Sequence, residues 1–522
     1  MVPHLTTALA GPLLELERRF LEAETTIERW LRGQWLDHTP PFYASVDLRN
    51  AGFKLAPVDT NLFPGGFNNL NPAFLPLCVH AAQTAIEKIC PEAKNLLLVP
   101  ENHTRNQFYL TNVARLAAIL RHTGLDVRVG SLLPEIAAPT TLDLPDGQTL
   151  TLEPLRRLGP GGRRLGLDGF DPCAVLLNND LSAGVPDMLR DLHEQFLIPP
   201  LSAGWHVRRK SRHFAAYHEV ALAFAREIGI DPWLIDPEFE VCGQINFHER
   251  TGEECLTAQV DTLLYRIRAK YRENGIDREP FVIVKADAGT YGMGIMTVKD
   301  ASEVKDLNRR QRNKMAVGKE GLQVTEVMIQ EGVPTVERVA AGTAEPVVYM
   351  IDRYVVGGFY RVNTQRGVDE NLNAPGMRFE PLAFDTGCTL PIRRRRPMRH
   401  PTASTPMAWL HGWPCWRRRL SWSGARPIQL FIPNAFHSLE GFSNMALSKM
   451  QAWLPSLCLL CVVTMASAQD LSLRNGDFQQ AMVGNSVPGW RLEQHAGDPA
   501  YEMKVVPDKS EPGNSIFCIR RT

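Results

Sequence analysis

An apolar strand that delivers a lysine and then runs into three glycines, VIVKADAGTYGMGI from Val282 to Ile295, constrains this 522-residue chain more than any other stretch. Residues without Cβ let the backbone close over a phosphate and present N–H groups at short range. Lys285 would add a point charge to that cradle. The lysine comes before the glycines, which excludes the order GxxxxGK[ST], and the spacing is not GxGxxG. A plain hairpin with a glycine turn is the alternative. A strand-borne lysine favours a nucleotide phosphate site built from Lys285, Gly289, Tyr291, Gly292 and Gly294.

The surrounding pattern sets the fold class. From about Pro72 to Gly275 helical patterns alternate with short apolar runs, AFLPLCVHAAQTAIEKIC, NLLLVPE, LTNVARLAAILRHTG and LDVRVGSLL. Such alternation predicts parallel α/β units, and VLLNN (Val175 to Asn179) reads as a further buried strand. Ligands in such sheets sit at the carboxyl ends of strands, so Glu101 to Arg105 and Asn178 to Asp180 are candidate pocket loops. From Pro280 the texture becomes β-rich. VMIQEGV predicts a strand ending in Gln330 and Glu331, whose edge and carboxylate suit an adenine or ribose. EPVVYMIDRYVVGGFYRVN predicts a hairpin with Asp352 and Arg353 near its turn and a bulge at Gly357-Gly358.

Beyond the hairpin, Arg361 could neutralise a transferring phosphoryl group. Asn363, Glu370 and Asn373 offer hard oxygen ligands suited to Mg²⁺ between protein and phosphates. An N-terminal loop with Asn61, Gly65, Gly66, Asn68 and Asn69 offers amides and N–H groups for an amino-acid substrate, joined by Arg105 and Asn179. Lys210, within the basic run Arg208 to Arg212, is a second candidate ATP contact.

Formal charge is zero, with 57 basic and 57 acidic residues, yet nine arginines fall between Arg393 and Arg426 with no acid or lysine among them. Without them acids outnumber bases, so the rest carries no footprint for nucleic acid. That Arg/Trp stretch has no period and suits neither a core nor a surface. A basic nucleic-acid arm is one reading; a translation of the wrong frame is preferred. An apolar run, AWLPSLCLLCVVTM, then leads to an Ala-Ser-Ala site, the parts of a secretory signal at an internal position. The segments expected are thus 392–449 as an aberrant, unordered stretch, 450–468 as signal-like, and 469–522 as the start of a galactose-binding-like β-sandwich. Six cysteines (Cys78, Cys90, Cys173, Cys242, Cys255, Cys388) lack metal or disulfide-framework spacing, which fits a reducing cytoplasm. The N-terminal stretch reads as an amphipathic helix and not an export signal.

Lys285 with its glycines, the Gln330-Glu331 strand end, the hairpin to Arg361 and NLNAPG resemble the ordered elements of an ATP-grasp domain. DLRNAGFKLAPVDTNLFPGGFNNL (Asp47 to Leu70), PENHTRN, LNNDLS and GWHVRRKSRHF resemble the proteobacterial single-chain glutamate-cysteine ligases, from about residue 5 to 391. The resemblance implies an α/β substrate domain over 1–205 and an α+β ATP-grasp domain over 206–391. It also implies ATP with Mg²⁺, and glutamate and cysteine as substrates, joined as γ-glutamylcysteine in the first step of glutathione biosynthesis. A glutathione-synthetase-like ligase, or an inactive remnant fused to a sugar-binding fragment, is the alternative. No membrane partner is expected for the ligase body, and a homo-oligomer is compatible with it.

Overall fold

The computed structural model describes residues 12–288, 294–318, 321, 323–382, 501–507 and 515–521. Gly289, Tyr291, Gly292, the Arg/Trp stretch and the signal-like run therefore lie outside the described residues. The chain forms two compact units, Met1–Ala468 and Gln469–Thr522. In the second, Tyr501–Pro507 pairs antiparallel with Ser515–Arg521.

Three larger sheets and a two-stranded ribbon, Arg156–Leu158 with Arg164–Gly166, build the described part of the first unit. A six-stranded sheet, parallel apart from one edge hairpin, runs Phe196–Ile198, Ala174–Asn178, Asn95–Pro100, Asp126–Ser131, Thr149–Pro154 and Thr140–Asp143. Its first strands follow the expected α/β alternation, with helix Leu75–Ile89 leading into Asn95–Pro100 and helix Gln107–Arg121 joining that strand to Asp126–Ser131. Leu96, Leu98, Val127, Val129 and Leu176 pack with Leu116, Ala117 and Leu120 of the second helix in one core. The second helix presents its apolar stripe to this sheet, while the first packs on the second helix and on the strands Gly342–Ile351 and Tyr354–Asn363; burial of each such side chain contributes about 1.5–3 kcal/mol.

The predicted hairpin is present as Gly342–Ile351 and Tyr354–Asn363, with Asp352 at φ 51° in its turn. Tyr349 pairs with Gly357 but Met350 with Val355, which leaves Val356 as the extra residue of a bulge. The hairpin does not stand alone. Strand Tyr43–Asn50 pairs with Gly342–Ile351, and Leu55–Asn61 continues the sheet, so the expected boundary at residue 205 is crossed by a single antiparallel sheet. The third sheet places Val282–Ala286 between Val327–Glu331 and Ile295–Val298, with Phe239–Cys242 at its edge.

The N-terminal stretch is helical as two pieces, Pro12–Glu22 and Glu24–Asp37, and buries Leu13, Leu16, Phe20, Ile27 and Leu31. Among the described residues no helix is long and apolar enough to cross a membrane.

Glu337 is an exception inside this body. It is fully buried, its Oε1 accepts from the Asn50 amide at 2.6 Å, and its Oε2 has no partner among the described residues. Burial without a cation pushes its carboxyl up to about 8. An acid whose pKa is raised on folding adds stability that is complete below the unfolded value and is lost as pH climbs toward the folded one. Stability should therefore fall by about 1.4 kcal/mol per pH unit through that window from this group. Glu337→Gln should flatten the slope and melt above the wild type at pH 8; a slope unchanged by the substitution would show that Glu337 is ionised in the fold.

Candidate functional site

The antiparallel sheet supplies the floor of a cleft of about 870 Å³. Strand residues two apart face the same way. Ser45, Asp47 and Arg49 on one strand, Asp59 and Asn61 on the next, Glu345, Val347 and Tyr349 on the third, and Phe359 and Arg361 on the fourth all line it. Asp47 lies opposite Asp59, a like-charge pair that would repel if left alone. Each instead has its own cation. Arg361 donates from Nη1 to Asp47 at 2.7 Å and to Glu345 at 2.6 Å, while Lys210 meets Asp59 at 2.5 Å.

Arg49 completes the network, reaching Glu345 at 2.7 Å and the carbonyls of Val368 and Glu370. It thereby ties the loop after the hairpin to the floor. Burial pushes the Asp47 carboxyl up, and Arg361 pulls it back only in part because Glu345 and Asp59 are close. Burial would also raise Asp59, but Lys210 and Lys285 outweigh it and hold the group at about 2.

The four-stranded antiparallel sheet with Lys285 forms a second wall. Ile283, Lys285, Ile295, Gln330 and Glu331 line the cleft there. The Lys285 ammonium donates to the Val58 carbonyl and to Gln330 Oε1, each at 2.7 Å. Burial lowers Lys285 to about 8, with Asp59 opposing and Lys210 adding to the fall. Glu331 is held from the opposite side by Lys54 at 2.6 Å, Trp233 Nε1 at 3.2 Å and the Glu238 amide at 3.1 Å. Burial pulls Lys54 down and Glu331 up, and their mutual contact opposes both shifts.

The carboxyl ends of the parallel strands close the third side through Glu101 and Asp180, with Asn106, Phe108, Tyr109 and Asn112 from the following helix. Asn112 has a structural task as well. Its Oδ1 accepts the amides of Gly66 and Phe67 at 2.8 and 2.9 Å. The Gly66 N–H expected to meet an amino acid is thus already used. Gly66 itself sits at φ 104°, and a Cβ there would stand 2.9 Å from the Tyr349 hydroxyl. Glycine keeps that corner open.

Of the expected site residues, Asn61, Gly65, Gly66, Asn69, Lys285, Gln330, Glu331, Arg361, Glu370 and Asn373 line this cleft. Lys210 stands behind it through Asp59. Gly294 keeps a positive φ of 61° and its carbonyl accepts from Ala286, but it is not part of the wall. Asn68, Arg105 and Asn179 are also outside the wall. Arg105 is exposed, and Asn179 donates to the Pro100 carbonyl at the end of the neighbouring strand and accepts the Leu181 amide within its own turn. Asn363 is wholly buried and spends its amide on the carbonyls of Leu372, Ala374 and Pro375, shaping the NLNAPG loop instead of facing the cleft.

Asp47, Arg49, Asp59, Lys54 and Glu345 were not singled out by sequence. A signal was there for the first two, since Ser45, Asp47 and Arg49 alternate with apolar Val46 and Leu48 and mark one polar strand face.

Four buried donors on the cleft wall, Asn69 Nδ2, Trp205 Nε1, Gln330 Nε2 and Arg361 Nε, find no partner among the described residues. Buried polar groups are normally satisfied, so donors left over on a cavity wall point to a polar ligand rich in acceptors. For a divalent ion, the described residues hold no cluster of three or more His, Cys, Asp or Glu ligands. Mg²⁺ does not need one, because it is commonly held by one or two carboxylates and the phosphates themselves. The oxygens of Asp47, Glu345, Glu370, Asn371 and Asn373 on the wall fit that chemistry.

Comparison with known proteins adds the following. The family model described as glutamate-cysteine ligase, GshA, matches residues 17–409, so the match runs past Pro391. No curated protein matches. A crystal structure described as "Putative gamma-glutamylcysteine synthetase" from Methylobacillus flagellatus KT is 66% identical with a TM-score of 0.69, and the alignment covers 75% of this chain and 91% of that one. A RimK domain ATP-grasp protein from Sphaerobacter thermophilus aligns at 12% identity and TM-score 0.25, covering 53% and 76% of the two chains. A glutathione synthetase-like effector from Globodera pallida aligns at 12% and 0.32, covering 71% and 80%; neither score carries an argument.

Proposed function

This chain belongs to the glutamate-cysteine ligase family, and on that premise we propose that its cleft uses ATP to join the side-chain carboxylate of L-glutamate to the amine of L-cysteine. The products are γ-glutamylcysteine, ADP and phosphate. The observation that carries this reading is the meeting of Lys285 and Arg361, cations from two different sheets, on one cleft where four buried donor atoms lack partners among the described residues.

The glutamate carboxylate attacks the γ-phosphorus of ATP, and the bond from that phosphorus to the bridging oxygen breaks, releasing ADP. Lys285 and Arg361 face the charge that spreads over the transferring group, which is where fixed cations contribute most. The amine of cysteine then adds to the acyl carbon and phosphate leaves. Asp47 and Glu345 stand at 2.7 and 2.6 Å from Arg361 and hold its guanidinium in place. Mg²⁺, when bound by the cleft oxygens, would neutralise phosphate charge. No covalent enzyme nucleophile is required.

Residues 206–391 would hold the nucleotide through Lys285 and Gln330, while Asn61, Gly65, Asn69 and the helix starting at Gln107 would hold the amino acids. A cytoplasmic site suits a thiol substrate that must stay reduced. The test is product identification with each acceptor offered alone. Turnover with glutamate and cysteine supports the reading; turnover only with γ-glutamylcysteine and glycine would replace it by the glutathione-synthetase-like alternative.

A pH effect follows from Lys285. Its ammonium is favoured by a polyphosphate, so nucleotide binding raises a pKa that stands at about 8 in the free protein. Binding should take up protons near pH 8, and affinity should weaken as pH rises beyond it. Calorimetry in buffers of different ionisation enthalpy reads this directly, and heats independent of buffer would contradict it.

A further inference from the structure

Cys242 and Cys255 stand apart from the cleft wall but close to each other, with sulfur atoms 2.9 Å apart. Cys242 ends the edge strand Phe239–Cys242 and is buried, whereas Cys255 is exposed in the first turn of helix Glu253–Glu273. Twelve residues, three of them at positive φ (Gln244, Arg250 and Gly252), bring the chain back on itself between them. We propose that Cys242 and Cys255 form a redox modification site that closes to a disulfide when a small organic disulfide is the oxidant.

The geometry assigns each thiol a part. Attack on an external disulfide needs access, which only Cys255 offers. The Cys255 thiolate bonds to one sulfur of the oxidant, whose S–S bond breaks and whose other half leaves as a thiol with the proton that Cys255 gave up. Cys242 then loses its proton and attacks Cys255 Sγ, and the second half leaves as thiol. Two protein thiols are oxidised and one small disulfide is reduced to two thiols. Burial and the neighbouring Cys255 keep the Cys242 thiol protonated until that step, raised to about 12. The closed bond would tie the helix to a strand in which Phe239 pairs with Gln330 and Cys242 with Val327, next to the Lys285 strand.

Cys90 and Cys173 also contact one another, and provide an internal comparison. The full chain is treated with glutathione disulfide, unfolded in alkylating reagent and mapped by mass without reduction. The expected result is a peptide linking Cys242 to Cys255 and no glutathione retained on either. Cys255→Ser should abolish the link. Cys242→Ala should trap glutathione on Cys255, a readout that does not depend on the strand keeping its full stability. The proposal is overturned if glutathione persists on Cys255 in the unmutated chain, or if Cys242 remains alkylated as a free thiol while other cysteines cross-link.

Discussion

Replacing Lys285 by alanine is expected to abolish measurable ligation and to weaken ATP binding about 10- to 100-fold. A hydrogen bond to a charged group contributes about 1.5–3 kcal/mol, and tenfold in affinity is about 1.4 kcal/mol. The loss in turnover should be larger than the loss in binding, since removing one preorganised donor at developing charge costs about 10²–10³ in rate. The strand itself should survive. Lys285 is flanked by Val284 and Ala286, paired on both sides with Met328 and Ile295, and its backbone is unaffected by the substitution. Unchanged ATP affinity in calorimetry, with a normal melting curve, would remove Lys285 from the nucleotide site.

The second large effect is one of stability as well as activity. Arg361→Ala would leave buried Glu345 and part-buried Asp47 around an absent cation, and breaking a fully buried pair from one side costs about 3–5 kcal/mol, which sets the upper bound here. Arg49 still meets Glu345 at 2.7 Å, so Asp47 is the group left uncompensated. Adding Asp47→Asn should therefore recover part of the loss, with a non-additive double-mutant cycle. Turnover should stay absent in both. A destabilisation under about 1 kcal/mol, or strict additivity with Asp47→Asn, would mean that the cluster does not work as a unit.

The elements whose signals are local were legible before any coordinates. The α/β alternation, the hairpin with its bulge and the strand carrying Lys285 rest on periodicity and glycine placement, which act within a few residues. What escaped depends on pairing across hundreds of residues. Nothing in YASVDLRN announces that it will lie against Gly342–Ile351, and only that pairing puts Asp47 beside Arg361. Nothing near Glu331 in sequence announces the cation that holds it, because Lys54 is 277 residues away. Asn363 shows the converse case. Its type suits a metal, yet its Oδ1 accepts the Gln365 amide at 2.9 Å while its Nδ2 donates to carbonyls of its own loop.

The central claim is that glutamate is activated as an acyl phosphate in this cleft, and transfer of oxygen tests it most directly. Glutamate labelled with ¹⁸O in the side-chain carboxylate would be incubated with ATP, Mg²⁺, cysteine and the full-length chain. The account predicts one labelled oxygen in the released phosphate for each γ-glutamylcysteine formed, since the oxygen that attacks phosphorus departs with it. Phosphate free of label alongside formed γ-glutamylcysteine would contradict the account.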